Sequence, residues 1–205
     1  MANRTVTGLY DSYSDAAQAV RDLEAAGISH RDISLLVNNV DSRYAPSDRV
    51  AATEAAKAGA GTGASIGTVI GGGAGLLAGL GMLAIPGVGP VVAAGWLVST
   101  AAGAAAGAAA GGLIGSLTGA GVSKEHAHIY AEGVRRGGSL VTARVDEGRV
   151  AVAEQIMRRN RWVDPDKRAK LYRDEGWKSF DVRAKPYSAE ELARQRNLGR
   201  ENMPL

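Results

Sequence analysis

The spacing of apolar residues changes period twice before residue 40. Thr5-Val-Thr-Gly-Leu-Tyr10 alternates as a half-buried strand does. Asp11-Ser-Tyr-Ser14 is rich in helix-capping residues, and Ala16, Ala19, Val20 and Leu23 then fall on one helical face that closes at Gly27. Asp32-Ile-Ser-Leu-Leu-Val37 predicts a second strand, which completes a βαβ unit. A similar succession occupies the other end of the chain. Ser123 is placed to cap a helix running through Lys124-Glu125-His126 to Arg136, and Gly137-Gly138 break it. Ser139-Leu-Val-Thr-Ala-Arg-Val145 predicts a strand, Val150, Ala153, Ile156 and Met157 a helix, and Arg161-Trp-Val163 a short closing strand. Val6-Thr7 and Asp11 of the first unit are matched by Val141-Thr142 and Asp146 of the second.

Two such halves, each too small to bury much core alone, predict an α+β fold. The expected form is a ferredoxin-like domain from two βαβ halves, interrupted by an inserted glycine-zipper α-helical hairpin. The boundaries are residues 1–57 for the first half, 58–122 for the Gly/Ala-rich hairpin, 123–175 for the second half and 176–205 for a polar tail. In that tail Ser188-Ala-Glu-Glu-Leu-Ala-Arg can form a short capped helix, within an arm expected to be mobile or to dock a partner.

The middle is set apart by its lack of charge. No charged residue lies between Lys57 and Lys124, and most of the 28 glycines fall there. GTVIGGGAGLLAG, from Gly67 to Gly79, resembles a phosphate-cradling loop, but a dinucleotide fingerprint starting at Gly71 and Gly73 would need glycine where Leu76 stands. No carboxylate follows until Glu125, and the lysine of a P-loop is missing. A four-residue spacing fits instead. Gly59, Gly63, Gly67, Gly71, Gly75 and Gly79 form one ladder; Gly95, Ser99, Gly103, Gly107, Gly111, Gly115 and Gly119 form another. On helices each ladder is a smooth groove for a second backbone. Each glycine costs roughly 1 kcal/mol in an exposed helix, so the ladders are expected to be packed. Pro86, Gly87, Gly89 and Pro90 predict the turn between the two helices.

A hairpin of this length in a bilayer would bring both flanks to one side, and Lys57, Lys124, Arg135 and Arg136 could touch lipid headgroups there; Arg135 and Arg136 could equally face water at the helix end, where positive charge suits the dipole. That reading gives a bacterial inner-membrane protein with its soluble domain in the cytoplasm, partnered by itself and by lipid. The alternative is a cytoplasmic homo-oligomer whose hairpins bury one another. The N-terminal stretch MANRTVTGLYDSYSD has no apolar core of the kind that export signals carry.

Charge and chemistry change this picture little. The formal net charge is +3, and the basic excess sits after residue 123, in mixed-sign sequence typical of a solvated surface. Cysteine is absent, which removes disulfides and thiolate metal sites. Glu125, His126, His128 and Glu132 are the one metal-like grouping, but on a helix only His128 and Glu132 share a face, so no metal and no cofactor is expected. Trp162, Tyr172 and Trp177 among Arg159, Arg161, Lys167, Arg168, Lys170, Arg173 and Lys178 would permit base stacking, although core packing is the commoner use; nucleic acid is not the expected partner. No serine, aspartate or histidine sits in an activating context, and no catalytic residue is expected.

Tyr130-Ala-Glu-Gly-Val-Arg-Arg-Gly-Gly-Ser-Leu-Val-Thr-Ala-Arg-Val145 and Val6-Thr-Gly-Leu-Tyr-Asp11 resemble the bacterial general stress protein 17M-like, heat-induced stress-protein family. The resemblance covers roughly residues 4–170. It implies a bacterial stress-related protein whose biochemistry is undefined, and so carries over no catalytic or ligand residues. Asp164-Pro165 departs from it by predicting a helix where strand would continue, and residues beyond Phe180 lie outside it. Three roles follow: a membrane-anchored scaffold, a soluble homo-oligomer, or a ligand-binding sensor built on the sheet.

Overall fold

The computed structural model describes residues 3–40, 81–85, 88–95 and 112–194. The chain begins with β1 (Asn3–Tyr10), α1 (Tyr13–Ala25) and β2 (Ile33–Asn38), followed by β3 (Gly81–Ile85) and β4 (Gly89–Ala94). Then come α2 (Gly112–Gly119), α3 (Lys124–Arg135), β5 (Ser139–Asp146), α4 (Val150–Arg159) and α5 (Pro165–Asp174), and a last helix, α6, spans 189–194.

Each helix begins and ends where its local chemistry dictates. Ser12 caps α1 by accepting from Asp15 N at 3.1 Å, Ser123 caps α3 by accepting from His126 N at 3.2 Å, and Asp164 caps α5 with Pro165 in the first turn. At the start of α6, Ser188 and Glu191 bond each other's backbone N–H reciprocally, which is a capping box. Helices α1, α2, α3 and α5 each stop on a left-handed glycine, Gly27, Gly121, Gly137 and Gly176. The next residue's N–H returns to the carbonyl five positions back, as in Ile28 to Leu23 and Trp177 to Tyr172.

The sheet order is β1-β5-β2-β4-β3, with every neighbouring pair antiparallel. The β1–α1–β2 crossover steps over one strand, and β5 from the second half fills the gap. Val163 adds a single bridge to Leu9 on the outer side of β1, where its N–H reaches Leu9 O at 2.8 Å. The closing strand expected at 161–163 is reduced to that contact.

Helices α1 and α4 cover one face. Ala16, Ala19, Val20 and Leu23 meet Val6, Tyr10, Ile33, Leu35, Val141 and Ala143 there, together with Ile156 and Met157. Helix α3 covers the other face, where Leu9, Leu36 and Leu140 pack beneath Ala127, Tyr130, Ala131 and Val134, joined by Leu113 and Leu117 of α2. Every residue of β2 is buried, because the strand is interior in the sheet and lies between both helical layers.

The helical hairpin is corrected where the structure describes it. Residues 81–85 and 89–94, expected as the facing ends of two helices, are paired strands, and β4 also pairs with β2. Val88, just before β4, is a turn residue, and the two elements it lies between are strands. The residues favour this outcome: Ile85, Val91 and Val92 are β-branched, and β2 would otherwise leave a row of backbone groups without partners. Gly89 and Pro90 are therefore residues of β4, while Pro86 and Gly87 lie outside the described residues.

The ladder positions divide similarly. Gly95 is not helical: its φ is 93°, and a Cβ there would stand 2.2 Å from Ile33 O and 2.6 Å from Ser34 Cα. It is glycine because the chain crosses the β2 backbone at contact distance. Gly115 and Gly119 do lie on a helix, α2, yet no described atom comes within 4 Å of where their Cβ would be. Gly59, Gly63, Gly67, Gly71, Gly75, Gly79, Ser99, Gly103, Gly107 and Gly111, with Lys57, lie outside the described residues.

Candidate functional site

The densest polar chemistry gathers where the C-terminal turn of α3 meets α5 and the tail. Three side chains one helical turn apart, Glu132, Arg135 and Arg136, are drawn together by their spacing. Arg136 Nε donates to Glu132 Oε1 at 2.8 Å, and Arg135 Nη1 lies 3.4 Å from Glu132 Oε2. Glu132 is 1 % exposed, so its charge is neutralised almost wholly by these two guanidinium groups. Arg136 also bonds Glu175 beyond α5, and its guanidinium stacks over the Tyr172 ring at 4.2 Å. Burial alone would pull the Arg136 guanidinium down; hydrogen bonds to Glu175 and Glu132 outweigh it and raise the group above its ordinary range.

Around this ion cluster the tail folds back. Arg135 sits over the Tyr187 ring at 4.8 Å, Phe180 packs into the α3 layer, and Leu192 of α6 is fully buried. The tail up to residue 194 is thus docked, not the free arm its polarity suggested. Tyr172 packs with Ile129 and Ala169 and meets Trp177 edge-on at 5.6 Å. Burial raises the phenols of Tyr130 and Tyr172, each pushed up to about 12. His128, on the same helix, is pulled down by burial and by the Lys124 ammonium, against a hydrogen bond with the Phe180 backbone; its Nδ1 has no partner among the described residues.

Arg135 and Arg136 were expected at lipid headgroups. Their side chains are only 15 % and 10 % exposed and are committed to Glu132, so that expectation is corrected for both: a charge already neutralised inside the fold has little left for phosphate. Lys124 is exposed at the start of α3. The metal-like grouping is dispersed. Glu125 accepts from Arg173 at 2.6 Å, His126 Nε2 lies 3.2 Å from Asp166, and Glu132 is held as above; no group of three candidate ligands exists among the described residues. Nor do the aromatics form a stacking surface. Trp162 packs against the α1–α4 core with Arg158 over its ring at 5.2 Å, and Tyr172 is buried under Arg136.

Sequence reading missed a polar row on the α3 face of the sheet. Thr7 and Thr142 stand opposite each other in β1 and β5, with Ser34 opposite Thr142 in β2. Thr142 is fully buried, and neither threonine hydroxyl has a partner among the described residues. The alternation around Thr142 signals which face it occupies but not that the face is closed. The burial of Glu132 was equally hidden, because Glu-x-x-Arg-Arg is an ordinary exposed helix pattern.

The fold and site define a mixed α/β protein with a buried ion cluster at the end of α3. Residues 5–81 match the family model of the heat induced stress protein YflT domain, which shows the resemblance to heat-induced stress proteins over β1, α1, β2 and the chain up to the start of β3. The match stops short of Tyr130–Val145. No curated protein and no solved structure matches the chain.

Proposed function

We propose that this is a non-enzymatic stress-response protein that acts by self-association, with the uncharged Gly/Ala-rich run as its contact element and the α+β body as its folded support. We read the body as ferredoxin-like. The two halves place Thr7 and Thr142, equivalent by sequence, directly opposite one another, as a two-fold axis between β1 and β5 would require.

The observation that carries the reading is where the run is tied down. Its middle, at Gly81–Ile85 and Gly89–Ala94, belongs to the same sheet as β2, and α2 packs in the α3 layer. A bilayer anchor built from 58–80 or from 96–111 would have to start and end at this body. A bilayer crossing needs about 20 apolar residues, and a crossing with a return about twice that. Neither 58–80 nor 96–111 offers such a length. Among the described residues, no helix is long and apolar enough to cross a membrane. The soluble homo-oligomer is accordingly preferred over the inner-membrane anchor.

Carbonate extraction followed by mass measurement of the particle tests it. The expected result is a carbonate-soluble particle whose mass is a multiple of the 21.1 kDa chain. Carbonate-resistant pelleting, or a single copy at every concentration, overturns it.

A further inference from the structure

The two edges of the sheet are finished differently. The β1 edge opens with Asn3, Arg4 and Thr5 and is capped near its end by the Val163 bridge. Charge and cover of this kind keep an edge from pairing with another chain. The β3 edge, Gly81-Met-Leu-Ala-Ile85, has no charge, no proline and no bulge in its register with β4, and no described residue pairs with its outer side.

The register also says which backbone groups point outward. Ala84 lies opposite Pro90, which has no N–H to donate, so this is a pair without mutual hydrogen bonds. In an antiparallel ladder the backbone groups of such a residue point away from its partner strand, and alternation gives Met82 the same orientation. Ala84 and Met82 thus turn their N–H and C=O groups to the free edge.

We propose that β3 pairs antiparallel with β3 of a second copy, joining two five-stranded sheets across a two-fold axis. The occupant follows from charge: a strand inside a run without any ionisable side chain, from Ala58 to Ser123, suits a partner strand that is itself uncharged, and the same strand from another copy meets that condition. Isologous pairing places the same residues on both sides and closes the assembly at each edge it uses. Among the described strands, the edges then left open are those at β1, which is protected. The inference rests on the self-association reading and assigns it a surface distinct from the glycine ladders.

The test uses the full-length chain. Amide exchange at Met82 and Ala84 is followed over a concentration series, and sedimentation compares the wild type with Ala84→Pro and Met82→Pro, which delete an outward N–H without touching the β4 ladder. Protection that grows with concentration, and a particle mass that falls about two-fold in the variants, is the expected result. If the wild type assembles but the variants match it, or if protection is independent of concentration, edge pairing is wrong while self-association stands. A wild type that stays single removes both. Should a proline variant lose its far-ultraviolet dichroism, the concentration dependence of exchange in the wild type decides alone.

Discussion

The two faces of the sheet solve the same packing problem with different materials. Beneath α1 and α4, Val6, Leu23, Ile33, Leu35, Val141 and Ile156 make a largely apolar layer in which the buried Tyr10 hydroxyl donates to Met157 O at 3.2 Å. Beneath α3 the layer mixes leucines with Thr142, Ser34 and Asn38, and the helix itself buries Glu132. Apolar burial needs only volume and shape, whereas a buried polar group needs a specific partner. The α3 face is therefore the more fragile of the two to single changes, and the more specific.

The largest test of that difference is Glu132→Ala, which removes the buried carboxylate shared by Arg135 and Arg136 and leaves Arg136 with Glu175 alone. Chemical denaturation should show a loss of about 3–5 kcal/mol, and Glu132→Leu combined with Arg136→Leu should recover much of it. Leu23→Ala on the opposite face should cost about 2–5 kcal/mol, with no second substitution restoring it short of refilling the cavity. Alkaline titration is a further test and acts on both faces, since burial raises the Tyr10 phenol beneath α1 and α4 as well. Tyr130 and Tyr172, both on the α3 side, have phenols raised by burial to about 12, so the unfolded chain ionises first. Their contribution is intact below about pH 10 and is lost as pH rises from there toward 12, read as a falling denaturation midpoint. Asn38 donates to Val134 O at 3.0 Å, binding β2 to the end of α3; Asn38→Ala should cost about 1–3 kcal/mol and raise amide exchange at the helix end. The smallest effect is a gain. Arg161, exposed after α4 with φ 59°, holds a left-handed position that four other helix ends give to glycine, and Arg161→Gly should raise the melting temperature by the equivalent of up to about 1 kcal/mol.

How far the sequence could be read follows the same division. The α1–α4 face was legible because its elements announce themselves locally: Ser12 and Gly27 bracket a stripe of Ala16, Ala19, Val20 and Leu23, all of them buried. Ser123, Asp164-Pro165 and Ser188 also mark helix starts that the structure contains. Residues 81–85 and 89–94 escape a local reading because glycine every fourth residue is a helical signal only if the chain is helical, and Ile85 with Val91-Val92 is too short a β-branched signal to outweigh it. The decisive factor, the unpaired side of β2, is a long-range property that no local period carries. The Arg136 cluster depends likewise on Glu175 and Tyr172, some forty residues away. Membrane contact by Arg135 and Arg136 was inferred from charge alone, and charge does not reveal that both are already paired.

The pairing of β4 with β2 has a mechanical side. In this antiparallel pair Leu35 faces Ala94 and Asn38 faces Val91, so the chain runs on from β2 at one end of the ladder and from β4 at the other. A pull applied through those two continuations would load all the rungs at once, in shear, and not peel them open singly. Tension gathered by the uncharged segments in an assembly would thus reach the body at one of its most resistant seams.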